Sequence, residues 1–153
     1  MMSYKKKSQF VYILILFCYF SFNAFSDSAV SDKPDTKRYE AGIFFYEQED
    51  FTKAREIFSQ LTRMDSKCST CFHMLGKSIG RIAEQSDWIN AIGLAPKVKK
   101  ALETALYINP DSEEIKKDLI KYYENAPFFL GGNKEKAKFL KGQLSADANF
   151  LQK

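Results

Sequence analysis

Apolar side chains recur at helical spacing from residue 36 onwards, in two segments that follow each other closely. Their apolar positions are Tyr39, Phe44, Phe45, Phe51, Ala54, Ile57, Phe58 and Leu61. Residues 47–50 between the segments are too polar to continue a buried face, and Asp50 can cap the helix that follows. The pattern predicts two amphipathic helices joined as a hairpin.

The same periodicity returns in a second pair of segments. The apolar positions of this pair are Phe72, Leu75, Gly76, Ile79 and Ile82, then Val98, Ala101, Leu102, Ala105 and Leu106. Proline lacks the main-chain donor that a helix needs, so Asn109-Pro110 is expected to end the pair.

A third pair follows, with Ser112 as the expected cap of its first helix and Gly131-Gly132-Asn133 as the opening of its second. Its apolar positions are Ile115, Leu119, Tyr122 and Tyr123, then Ala137, Leu140 and Leu144. No segment of the sequence alternates apolar and polar residues for long enough to suggest a strand. The predicted fold class is all-α.

Small residues stand at matched places in these pairs, where they would let two helices approach closely. They are Gly42, Ala54, Gly76, Ala105 and Ala137. The first pair fills the tetratricopeptide pattern of about 34 residues without a gap, and the residues that match are Ala41, Gly42, Phe45, Ala54, Phe58 and Leu61. The chain therefore resembles a tetratricopeptide-repeat protein.

The second and third pairs match this pattern with insertions. The second matches through Phe72, Leu75, Gly76, Ile79, Leu102, Ala105 and Pro110, and the third through Leu119, Tyr123, Gly132 and Ala137. About ten extra residues, around 88–96, interrupt the second pair, and about five interrupt the third. Residues 125–137 are similar to those of exported bacterial variants with long inserts, whose ligands are usually not known.

The resemblance implies antiparallel helical hairpins stacked as a short right-handed solenoid of about three repeats. On this interpretation residues 36–145 form the helical domain, residues 27–35 a linker and residues 146–153 a C-terminal tail. Three repeats are about the fewest that build a continuous core, so a further helix or a second subunit is an open possibility for capping the stack.

The first residues carry a targeting pattern. Lys5, Lys6 and Lys7 precede an almost uninterrupted apolar run, and small residues at Ala24 and Ser26 suit cleavage after Ser26. We therefore expect residues 1–26 to be a signal peptide and the protein to be periplasmic or secreted. The alternative is an inner-membrane anchor at residues 10–25, although this run is shorter than the roughly 20 residues that span a bilayer. A lipoprotein site at Cys18 is disfavoured by the bulky Phe17.

Cleavage would also change the electrostatics. The full chain of 153 residues has a net charge of +4, which falls to +1 when the three lysines leave. A nearly neutral protein has no general field to draw it onto nucleic acid, so nucleic acid is not an expected partner.

In the family, the first helix of each hairpin lines a concave groove. The resemblance places Tyr39, Ile43, Tyr46, His73, Lys77, Lys117 and Lys121 there. Aromatic residues at one end and lysines at the other would suit a protein or peptide segment with acidic and apolar side chains. The competing interpretation is that the lysines form a solvated face and the tyrosines pack inside the stack.

Two further apolar stretches are open to two interpretations. Trp88, Ile89, Ile92 and Leu94 in the insert are expected to cover the edge of their own hairpin. Phe128, Phe129 and Leu130 are expected to close the end of the core, with a partner contact as the alternative.

Cys68 and Cys71 remain as an even pair after cleavage, in an oxidising compartment, which favours a local disulfide. A thiol–disulfide enzyme is the main alternative, because a helix N-terminus stabilises a thiolate, but no strand precedes Cys68. Zinc is disfavoured because His73 would be at most a third ligand beside the two cysteines. Haem attachment is disfavoured because Phe72 follows the second cysteine.

The remaining titratable residues are scattered over helix faces, His73 has no evident Ser or Asp partner, and no phosphate-binding glycine loop is present. The sequence therefore predicts a non-catalytic protein-binding module without metal or cofactor. The alternatives are the thiol–disulfide protein and a structural subunit of an envelope assembly. The oligomeric state stays open.

Overall fold

The computed structural model describes residues 35–150, and the side chains of residues 35–145. The helices are α1 (Thr36–Glu47), α2 (Phe51–Met64), α3 (Ser69–Gln85), α4 (Trp88–Ile108), α5 (Glu113–Asn125) and α6 (Lys134–Phe150), with a 3-10 turn at Phe128–Leu130. Every element in this part of the chain is helical, which confirms the all-α prediction. The expected signal peptide, cleavage site and anchor, and nearly all of the expected linker, lie outside the described residues, as do residues 151–153.

Polar side chains start the helices by accepting main-chain N–H groups. The Asp50 carboxylate accepts the amide of Lys53 at 3.1 Å, and the Ser112 hydroxyl accepts the amide of Ile115 at 3.4 Å, so both predicted caps are confirmed. Asn133 caps α6 in the same way through the amide of Lys136, at 2.9 Å. These contacts satisfy donors that the first turn of a helix leaves without partners.

Helix α4 begins earlier than the apolar pattern indicated. The Asp87 carboxylate accepts the amide of Asn90 at 3.0 Å and starts the helix at Trp88, so the inserted residues form its first turns. Pro96 lies inside α4, where it removes one main-chain donor, and the helix continues past it to Ile108.

The core consists of two clusters of buried side chains. The first cluster, contributed by α2, α3 and the turn between them, contains Ala54, Phe58, Leu61, Cys68, Cys71 and Met74. The second, contributed by α3 to α6, contains Ile79, Val98, Leu102, Leu119, Ile120, Tyr123, Ala137 and Leu140. Each helix packs against the next one along the chain, and Leu75 contacts both clusters.

The small residues at the matched places are all buried, as the pattern predicted. A methyl group on Gly42 would come within 2.7 Å of the Phe58 ring, and one on Gly76 within 2.9 Å of Leu102. The absence of a side chain therefore sets how closely α1 lies on α2 and α3 on α4.

The expectation that the two apolar stretches are covered is largely wrong. Phe128 and Phe129 are 89% and 71% exposed, and only Leu130 of that turn is half-buried. Gly131 has a φ of 94°, and Gly132 lies so close to the Ala126 carbonyl that a side chain would not fit. Both positions therefore require glycine.

The apolar residues of the insert around 88–96 are also only partly covered. Trp88 and Ile89 are 70% and 71% exposed, whereas Ile92 and Leu94 are half-buried. The first turn of α4 therefore lies beyond the surface that its neighbours can cover. Among the described residues, no helix combines the length and the apolar character needed to span a membrane.

Candidate binding cleft

A cleft of about 880 Å³ lies between α3, α4 and α5, and Tyr46 reaches it from α1. We call it the central cleft. Its apolar wall includes Trp88, Ile92, Tyr122 and Leu130. Its charged wall consists of Lys77, Arg81, Glu84, Asp118 and Lys121. The helix phase explains both walls, because residues four apart, such as Trp88 and Ile92, share a helix face.

Most of the charges in this wall are already paired. Arg81 lies 2.5 Å from Glu84, and Lys77 lies 3.4 Å from Glu114. Lys121 makes no ion pair within the part of the chain that the structure describes. Its ammonium group is therefore the cation of the cleft that is most available to an incoming anion.

A partly buried hydrogen bond between His73 and Asp118 lies beneath the charged wall. The Nε2 atom of His73, whose residue is 4% exposed, lies 2.7 Å from the Oδ2 atom of Asp118 on α5. Burial alone would raise the pKa of Asp118, but the hydrogen bond and charge of His73, with Lys77 and Lys121, bring that pKa below its ordinary value. Asp118 is therefore held as a carboxylate that links α3 to α5.

This pair corrects the sequence-based statement that His73 has no acidic partner. The two residues are 45 positions apart, and neither belongs to a local motif. The resemblance to the tetratricopeptide pattern was the available signal, because it would make α3 and α5 equivalent helices of neighbouring pairs.

The aromatic end of the cleft is fixed by ring contacts. Tyr46 packs edge-on against Phe51, with ring centroids 5.2 Å apart, and the Lys77 ammonium lies 5.7 Å from the Tyr46 centroid. Burial raises the pKa of Tyr46, although Lys77 and Arg81 act in the opposite direction. The Arg81 guanidinium lies 5.1 Å from the Phe51 centroid, so both cations are positioned by rings.

The seven residues expected in the groove occupy different surroundings. Tyr46, Lys77 and Lys121 line the central cleft. Tyr39 and Ile43 pack against the first core cluster, and His73 is buried beneath the cleft. Lys117 is exposed and pairs with Glu113 at 2.8 Å.

Other residues of the cleft were not singled out as binding residues from the sequence. On α3 these are Arg81 and Glu84, one and two turns beyond Lys77. On α4 they are Trp88 and Ile92, which were expected to cover their own hairpin. Helix phase would have identified the α3 residues, but the α4 residues required the helix to be extended to Trp88.

Tyr122 holds the apolar wall together. Its hydroxyl group lies 2.9 Å from the carbonyl oxygen of Ala95 on α4 and 2.7 Å from that of Leu130, so one proton is shared between two acceptors. Burial raises the pKa of Tyr122, which keeps the hydroxyl protonated. The contact fixes the 3-10 turn beside α4, where Leu130 reaches the cleft.

The cysteines lie away from the cleft, at the start of α3. Cys68 and Cys71 form a disulfide, and both residues are buried, at 6% and 0% exposure. The Cys68 sulfur also accepts the amide of Cys71 at 3.2 Å. An attacking thiolate would need access to one of these sulfurs, and the neighbouring helices limit it.

No family model, curated protein or solved structure matches the chain. The indication of function therefore comes from the residues of the central cleft.

Proposed function

We propose that this chain is a non-catalytic protein-binding module of the tetratricopeptide type, which acts in the periplasm or outside the cell. The central cleft holds a segment of a partner protein with apolar and acidic side chains. The observation that carries the proposal is the combination, in one cleft, of an exposed tryptophan and the Lys121 ammonium group, which makes no ion pair with any residue that the structure describes.

The repeat architecture is supported by three helix pairs that pack in chain order, with small residues at the helix contacts. In a right-handed solenoid of such pairs, α1, α3 and α5 line the inner surface. The central cleft draws residues from all three of these helices. The cleft also draws on the first turns of α4, which add Trp88 and Ile92 to that surface.

The chemistry of the partner follows from the two walls. Trp88 is 70% exposed beside half-buried Ile92 and Leu130, which is a surface that gains free energy when an apolar side chain covers it. Lys121 supplies a positive charge that a carboxylate of the same segment can approach. An apolar anchor flanked by Asp or Glu fits both features.

Export is supported by one observation from the sequence and one from the structure. The sequence begins with lysines followed by an apolar run, and the cysteines that remain after cleavage form a disulfide. Disulfides persist in oxidising compartments such as the periplasm and the cell exterior.

The proposal can be tested by selecting peptides from a random library displayed on phage against the purified, oxidised protein. Enriched peptides should contain an aromatic or large aliphatic residue with Asp or Glu beside it. Trp88→Ala should weaken binding of the selected peptide about tenfold to a hundredfold, as is usual for a buried aromatic anchor. Lys121→Glu should weaken it and also reduce its dependence on salt.

Matched controls are available at exposed positions outside the cleft. Tyr107→Ala removes an exposed aromatic residue from the far end of α4, and Lys138→Glu reverses an exposed charge on α6. Neither residue lines the central cleft, so both variants should bind like the wild type. Recovery of no peptide, of basic peptides, or of peptides that the control variants weaken equally would refute the proposal.

A further inference from the structure

Three potential metal ligands from two helices converge beside the central cleft. The side chains of His73, Glu114 and Asp118 each offer a donor atom, and the three atoms lie within 4.8 Å of one another. Glu114 and Asp118 are four residues apart, so they share one face of α5, and His73 faces them from α3. Among the described residues, the structure brings together no other group of this kind.

The chemistry of the three side chains fits a divalent transition metal. A neutral imidazole nitrogen with two carboxylates is a ligand set that zinc and its neighbours accept at bonds of about 2.0–2.2 Å. Ligand atoms around such an ion are about 3–3.5 Å apart. The Nε2 atom of His73 and the Oδ2 atom of Asp118 are 2.7 Å apart because they share a hydrogen bond. An ion bound by both atoms would replace the shared proton, which is released to solvent, and would move the two atoms slightly further apart. The Glu114 side chain is 71% exposed and can rotate to complete the site.

Glu114 takes no part in the hydrogen bond between His73 and Asp118. The hydrogen bond between His73 and Asp118 gives the buried imidazole a polar partner. Among the described residues, Glu114 pairs only with the Lys77 ammonium, at 3.4 Å. The Lys77 ammonium therefore lies beside the Glu114 carboxylate, and a metal cation would compete with it for that carboxylate. We infer that His73, Glu114 and Asp118 form a site for a zinc-like divalent cation, with Lys77 as its internal competitor.

An ion at this site would have two physical consequences. It would link α3 to α5 and thereby connect the second helix pair with the third. Three protein ligands also leave at least one coordination position for water or for another donor. Because Asp118 and Lys77 both line the central cleft, that position is close to where a ligand's carboxylate could lie.

The test uses untagged, metal-free, oxidised protein titrated with ZnCl₂ by calorimetry, and with CoCl₂ by visible absorption. We expect one ion per chain and a melting temperature that rises with zinc concentration. Glu114→Gln should weaken binding at least about tenfold, because an exposed ligand is lost without disturbing the core. Lys77→Met should tighten binding about tenfold, because it removes a nearby like charge.

The matched control is Glu113→Gln, which changes the neighbouring acidic residue on the same helix and should leave the affinity unchanged. His73→Gln should abolish the cobalt absorption bands. If the His73→Gln variant does not fold, the Glu114 and Lys77 variants still test the metal site. Absence of saturable binding at millimolar zinc, or equal affinity in Glu114→Gln and Glu113→Gln, would overturn the inference, whether or not the cleft binds peptides.

Discussion

Individual residues determine how closely neighbouring helices approach. Gly42 faces the ring of Phe58, which is fully buried and also packs edge-on against Tyr39, with centroids 5.6 Å apart. The ring has little freedom to move, because its other neighbours fill the first core cluster. Gly80 on α3 is different, since a methyl group there would lie 4.0 Å from Val98, in ordinary contact.

Gly42→Ala should therefore lower the free energy of unfolding by about 1–2 kcal/mol, since the forced shift of the ring outweighs the gain in helix propensity. Gly80→Ala should raise it by about 0.5–1 kcal/mol, because only the propensity gain remains. Urea unfolding followed by circular dichroism measures both. Equal effects of the two substitutions would show that α1 and α2 are less closely packed than described.

At the scale of elements, one hydroxyl group connects three segments. Tyr122 on α5 reaches the carbonyl groups of Ala95 on α4 and of Leu130 in the 3-10 turn. This link places the apolar wall of the cleft and fixes a turn whose two phenylalanines remain in solvent.

Tyr122→Phe should lower the free energy of unfolding by about 1–3 kcal/mol, because a partly buried carbonyl oxygen loses its donor. It should also weaken peptide binding, since Leu130 is less firmly held. Tyr107→Phe is the matched control, because that side chain is 88% exposed. Unchanged stability and binding in Tyr122→Phe would mean that the turn is fixed by other contacts.

The sequence predicted those elements that depend on local patterns. Helical periodicity, the caps Asp50 and Ser112, and the small residues at helix contacts all follow from residues a few positions apart. The hydrogen bond between His73 and Asp118 joins residues that are 45 positions apart, so no local pattern indicates it. The exposure of Trp88 and Phe128 was also not predicted, because hydrophobicity alone does not show whether a neighbouring element is long enough to cover them.

At the scale of the whole described region, the helices pack in chain order and their core divides into two clusters that meet at Leu75. Contacts between neighbours in sequence are typical of repeat proteins, in which each pair buries its apolar face only against adjacent pairs. The central cleft depends on this packing order, because the successive helices α3, α4 and α5 line it together with Tyr46 near the end of α1.

Trp88 provides a direct measurement of the central claim, because it is the only tryptophan in the chain and it lines the cleft. Its fluorescence can be titrated with a tryptophan-free acidic peptide obtained by the phage selection. We predict a saturable shift of the emission to shorter wavelength as the peptide covers the indole, and the same shift at higher peptide concentrations in Lys121→Glu. Binding of the labelled peptide, measured by fluorescence polarisation, without any change in Trp88 emission would contradict the account.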